Sequence, residues 1–240
     1  PSDDTPAYAY LLGFGAPADQ SPARQGQALA QRQKNHPDLP LPNSYRDLNA
    51  SPLLCRNMDA SCLLQQQEKR VAAEALVNRY QFLIDRYQTF LDFAYFSDNT
   101  PPRLDATFPE YSLLITASRL QSLAWALSDA PEKNIDREIQ QLRHWLAQDH
   151  SLISKMIANA MLAEKLQLTA LLVQQGKMPT LRLVPLTTAE KSFQAPLQKE
   201  FAMMAHFFID EQYRDGNEAA SWIEEIQFRA GLKKHISVNR

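Results

Sequence analysis

Apolar side chains recur at helical spacing through residues 111–176, and the rest of the chain is arranged around that stretch. Leu113, Leu114, Ala117, Leu120, Ala124 and Leu127 come at steps of three and four with Trp125 beside them, which sets them on one side of a helix. Pro109 suits a first turn and Glu110 the positive end of the helix dipole. Asp129-Ala130-Pro131 breaks the run. A second helix starts near Pro131 with Ile135, Ile139, Leu142, Trp145 and Leu146 on one face, and Arg137, Glu138, Gln141 and Arg143 turned elsewhere. Asp149 is the expected cap of a third helix. There Leu152, Met156, Ile157, Ala160, Met161 and most of 163–172 are apolar around the circumference, which predicts burial from several sides. Gly176 fits the position just past its end, and Pro179 prevents continuation. Such short joints predict antiparallel neighbours.

Before this block, residues 61–96 give the longest uninterrupted helical pattern. Val77, Tyr80, Leu83, Ile84, Tyr87, Phe90, Leu91 and Ala94 form its stripe, with Asn78, Arg79, Asp85 and Arg86 off it. Its aromatics are read as core rather than as a ligand ladder. Residues 8–14 are predicted to be extended against the body. Ser21-Pro22 opens a short helix through Ala28, Leu29 and Gln33, and 36–54, beginning HPDLPLP, is irregular. After Gly176, 180–184 (TLRLV) is expected to be extended, with the N-terminal apolar segment as its candidate partner. Thr187-x-x-Glu190 is a capping box for a helix with the stripe Phe193, Leu197, Phe201, Met204 and Phe208. Asn217 caps a last helix holding Trp222, Ile223 and Ile226, closed by Gly231, and 235–240 is extended. The fold class is therefore all-α: stacked antiparallel helical hairpins of about seven helices. An irregular proline-rich arm over 1–54, with one short helix, packs as one unit with a helical domain over 55–240.

Composition adds exclusions. The 240 residues are 45% hydrophobic and 22% charged with a net charge of −2, ordinary for a globular protein and without the basic excess that nucleic acid requires. Six glycines disfavour phosphate-cradling loops. No stretch approaches 18 uninterrupted apolar residues. The chain opens on Pro1 rather than Met, so its N-terminus has been removed, and whether a signal or anchor went with it is left open; membrane attachment is expected only through a segment absent from this chain.

Cys55 and Cys62, the only cysteines, have the wrong spacing for C-x-x-C and lack a second pair for a zinc site. A disulfide closing an eight-residue loop is the reading adopted, with two buried thiols as the alternative. Its stabilisation is roughly 2.5 kcal/mol on chain entropy, and it would imply an oxidising compartment. No hydrolase elbow, P-loop, H-E-x-x-H or dinucleotide fingerprint is present, and Gly13-Phe14-Gly15 lacks a third glycine. His144 and His150 point to different sides of a helix. His206 and Asp210, four apart beside Glu211 and with Glu200 nearby, are the candidate metal or acid/base pair; a solvated i,i+4 contact is the plainer reading. Lys155, inside an apolar run, is read as snorkelling to a helix edge rather than buried. No catalytic residue, cofactor or metal is assigned.

Tyr10-Leu11-Leu12-Gly13-Phe14, the Cys55/Cys62 pair, His144-Trp145-Leu146-Ala147 and Leu152-Ile153-Ser154-Lys155-Met156-Ile157-Ala158 resemble a group of uncharacterised proteobacterial cell-envelope proteins. That resemblance implies an N-terminal membrane anchor, a helical periplasmic region and attachment to the inner membrane, but no activity. The resulting expectation is a non-enzymatic binding or assembly module of the bacterial envelope, with a protein partner or self-association. A membrane-anchored chaperone or immunity protein, and a hydrolase or metal-dependent enzyme using His206 and Asp210, are the alternatives.

Overall fold

The computed structural model describes residues 6–35, 45–100, 108–128, 132–148, 151–180 and 182–215. The described chain is all-α, in chain order α1 (Pro6–Leu12), α2 (Pro22–Asn35), α3 (Arg46–Asn49), α4 (Ala60–Glu68), α5 (Arg70–Arg79), α6 (Gln81–Leu91), α7 (Tyr111–Leu127), α8 (Glu132–Gln148), α9 (Leu152–Gln174), α10 (Thr188–Lys191) and α11 (Gln194–Asp215).

The structure exchanges the expected roles of α7 and α9. α7 meets α3, α4, α5, α6 and α9 and is buried around its circumference, polar Thr116, Ser118, Gln121 and Ser122 included. α9 buries a single stripe, from Ser154 and Ala158 through Met161, Leu162 and Lys165 to Leu168 and Leu172, against α7 and α8. It leaves Ile153 and Met156 exposed. Among the described residues α9 is the helix long and apolar enough to cross a membrane. Its inward stripe carries two buried lysines, Lys155 and Lys165, which is the position of a core helix. Its cap is Ser151, whose side chain accepts from the Ser154 N–H; Asp149 lies outside the described residues. Gly176 takes φ +68°, and the bonds Lys177 N–H to Leu172 O and Gly176 N–H to Val173 O complete a Schellman ending.

The expected long helix over 61–96 is three segments broken at single residues, Lys69 (φ −102°, ψ 32°) and Tyr80 (φ −113°, ψ 22°). Neither break has a glycine or proline. A straight rod of this length would leave α7, which is about 26 Å long, so the bends keep all three segments on it. At the second bend Tyr80 meets Tyr45 edge-on, ring centroids 6.4 Å apart.

The N-terminal arm corrects the expectation most. Residues 8–14 are not extended: Ala7 to Leu12 form a helix with every side chain buried. A helix satisfies its own backbone, whereas a buried lone strand would orphan its N–H and C=O groups. The arm holds α1, α2 and α3 rather than one short helix. α1 and α2 touch backbone to backbone, since a Cβ at Gly26 would lie 1.6 Å from the Ala9 carbonyl oxygen and one at Gly13 2.1 Å from that of Pro22. Arg86, expected off the apolar stripe, is buried and donates to the carbonyls of Phe14 (3.0 Å), Ala16 (2.5 Å), Pro17 (2.7 Å) and Gln20 (2.9 Å), fastening the arm to α6. Cys55 and Cys62 form the disulfide, with Cα atoms 6.1 Å apart. It abuts the N-cap of α4, where Asp59 accepts from the Cys62 N–H at 2.8 Å.

The Thr187/Glu190 capping box is present but opens only α10; the chain bends at Ser192 before α11 begins. The described part of 180–184 forms no strand. Asn217 and everything after it lie outside the described residues.

Candidate functional site

Inside the junction of α6, α7, α8 and α9 lies a sealed polar cluster. Lys165 and Glu138 sit in phase with the apolar stripes of their helices, so the same periodicity that buries Leu162 and Ile139 buries them. Lys165 Nζ donates to Ser118 O (2.6 Å) and Ser122 Oγ (2.5 Å) and stands 3.2 Å from Glu138 Oε1. It also lies over the rings of Trp125 (5.2 Å) and Tyr87 (5.9 Å). The Tyr87 hydroxyl donates to Glu138 Oε1. Burial pushes Lys165 down and Glu138 up, each opposed by the other's charge; burial, then Glu138, pushes Tyr87 well up. The group fixes the register of four helices.

The other charged side chains deep in the fold are spent in the same way. Lys155 is buried, not snorkelling: its Nζ donates to Leu146 O (2.9 Å), one of the last carbonyls of α8, and to Ala189 O (3.3 Å) of α10. The Asp98 carboxylate accepts from Thr100 N (2.9 Å), Thr100 Oγ1 (2.5 Å), Tyr111 Oη (2.9 Å) and Ser151 Oγ (3.0 Å), tying the approach to α7 to the start of α9. Arg143 grips Glu190 with two bonds (2.5 and 2.9 Å) and donates to Val184 O and Pro185 O, which binds the connection before α10 to α8. Arg143 and the Thr187 backbone hold the Glu190 carboxyl at about 2.

A groove of about 280 Å³ runs beside that connection, lined by Ile139, Leu162, Leu166, Leu183 and Leu186, with Arg143 already engaged at one end. Among the described residues no group of three or more His, Cys, Asp and Glu could hold a metal. His206 and Asp210 fall on α11, where side chains beyond Ala205 lie outside the described residues. Glu200 is half-buried. His144 meets Ala94 O at 3.0 Å, and His150 lies outside the described residues.

The sequence offers exposed aromatics or the face near Met203 and Met204 as a candidate partner or dimer surface; Met204 is exposed, Met203 is half-buried, and Phe208 lies outside the described residues. Leu197 (56% exposed), Phe201 (70%) and Met204 (51%) face solvent, and Phe193, just before α11, is 45% exposed with Lys155 Nζ 5.5 Å from the centre of its ring. α11 meets the body instead through buried Pro196 and half-buried Ala195, Lys199 and Met203, and Lys199 donates to the Asp98 carbonyl. No protein-family model, curated protein or solved structure matches the chain.

Proposed function

We propose that the protein is a non-enzymatic binding or assembly module of the bacterial envelope and that its docking surface is the outward face of α11. The observation that carries this reading is the seating of α11: Ala195, Pro196, Lys199 and Met203 lie toward the body while the large apolar Leu197, Phe201 and Met204 are exposed. A contiguous apolar stripe on a protein surface marks an interaction site far more often than a scatter of single residues does. A straight helical stripe is matched by the apolar face of another helix, so the partner is an amphipathic helix. Buried charges supply the complementary support, because Lys155, Lys165, Asp98 and Arg143 are each held by partners that position helices. The disulfide fits an oxidising compartment such as the periplasm. The resemblance to proteobacterial envelope proteins, with an inner-membrane anchor, belongs to the same reading.

A photo-crosslinking residue at Phe201 tests it, with the 82%-exposed Val71 as the control position on α5. In cells, Phe201 should give a discrete adduct that Val71 does not. No adduct, or the same pattern from both positions, would reject the surface.

A further inference from the structure

We infer that the helix meeting the outward face of α11 is α11 of a second copy of this chain, packed antiparallel across a two-fold axis. The inference rests on the reading of α11 as the docking face and names the chain that occupies it.

The run 183–204 is laid along α8 and α9. Leu183 and Val184 line one groove with Leu162 and Leu166 of α9. The Ala189 carbonyl accepts from Lys155 Nζ, and the same ammonium lies 5.5 Å from the centre of the Phe193 ring. Lys199 donates to the carbonyl of Asp98, whose carboxylate accepts from Ser151 at the start of α9. The run therefore passes from the middle of α9 back to its beginning, fastened on its inner side. On its outer side Leu183, Val184, Phe193, Leu197, Phe201 and Met204 all stay at least 45% exposed. Side chains of this size, left that open, present on the order of 700 Å². A stable interface buries about 800 Å² per partner, a little over half of it apolar. The run thus carries the apolar area that a dimer interface needs.

Phe193, Leu197, Phe201 and Met204 fall within roughly 80° of arc at 100° per residue. None of the four is charged, so the stripe is complementary to itself, as an isologous contact requires. A different partner is normally selected by charges opposite its own, and the stripe offers none. Leu197, Phe201 and Met204 follow steps of four and three, the seam spacing of paired helices. With the axis midway between Leu197 and Phe201, each of these side chains meets the other on the second copy. The start of one α11 then lies beside the far part of the other. α11 continues as a helix to Asp215, about 16 Å past Met204, so the far part of the second helix passes Phe193 and runs on toward Leu183 and Val184. Antiparallel pairing in this way covers the whole exposed run.

Sedimentation equilibrium of the full chain tests the inference, with Phe201→Glu and Leu197→Lys as disrupting variants and Val71→Glu on α5 as the control. All three positions are exposed, so the fold is retained, and unchanged far-UV circular dichroism checks it. Wild type and Val71→Glu should reach twice the 27.3 kDa chain mass by roughly 50 μM. Phe201→Glu or Leu197→Lys alone should weaken association about a hundredfold, because each buries an unpaired charge twice per dimer. An equimolar mixture of the two should recover about tenfold of that loss, since the antiparallel pair sets the new glutamate against the new lysine. A wild type that stays monomeric, a dimer indifferent to Phe201→Glu, or a mixture no better than its components would each overturn the inference. Failure here is separable from failure of the docking face. A crosslinked adduct at Phe201 with the mass of another protein keeps the face and removes the second copy, whereas no adduct removes both.

Discussion

Lys165 and Glu138, 3.2 Å apart with the Tyr87 hydroxyl on the same carboxylate, are a buried pair whose worth depends on both members being present. Removing one strands the other's charge in the core, so Lys165→Met alone is expected to cost about 3–5 kcal/mol in urea unfolding. The paired change Lys165→Met/Glu138→Leu should recover most of that loss, because apolar residues of similar volume replace both charges. Glu190 makes a pH-dependent prediction. Its carboxyl is held at about 2, below the ordinary 4.5, so its stabilisation is fully present above pH 4.5 and is lost as pH falls toward 2. Glu190→Gln should therefore cost about 2 kcal/mol at pH 7, and the difference from wild type should shrink through that window when urea midpoints are compared. Both charges of the buried pair were legible in principle. Glu138 falls at the 135/139/142 phase and Lys165 in step with Met161, Leu162 and Leu168. Glu138 and Arg86 were assigned to the polar side of their helices and Lys155 to a snorkelling edge because charge was weighed above phase, and all three are buried.

At the level of elements, the two glycine positions separate steric from conformational need. Gly26→Ala places a methyl into the Ala9 carbonyl and should push α1 off α2, seen as early proteolysis within the arm and a loss of about 3 kcal/mol or more. Gly176→Ala meets nothing within 4 Å and should cost only the left-handed backbone conformation, about 1 kcal/mol. The Cys55–Cys62 bridge closes a small ring, so reduction should lower stability by roughly 2.5 kcal/mol without unfolding the chain, measured by thermal melting with and without reductant. α7, α8 and α9 were readable because proline and glycine punctuate the chain around them, whereas the cap of α9, Ser151, was not picked out. The bends at Lys69 and Tyr80 carry no such residues; they arise from wrapping around α7, a tertiary demand that local sequence does not encode. α1 was misread because prolines and glycines around a short apolar run suggest extension, whereas here the glycines serve close helix contact.

Across the described fold, the buried charges hold helices in register, and Leu197, Phe201 and Met204 of α11 are left outside. The sequence showed that stripe but not its direction, since periodicity fixes which residues share a face and not which face meets the core. The central claim is that function resides on that outer face and not in the buried cluster. The most direct measurement compares partner capture, through the crosslinkable residue at Phe201, in two backgrounds: Lys165→Met/Glu138→Leu, which empties the interior of its charges, and Leu197→Glu/Met204→Glu, which spoils the face. The interior variant is expected to keep the wild-type adduct while the face variant loses it. Loss of the adduct in the interior variant, with the face variant unaffected, would contradict the claim.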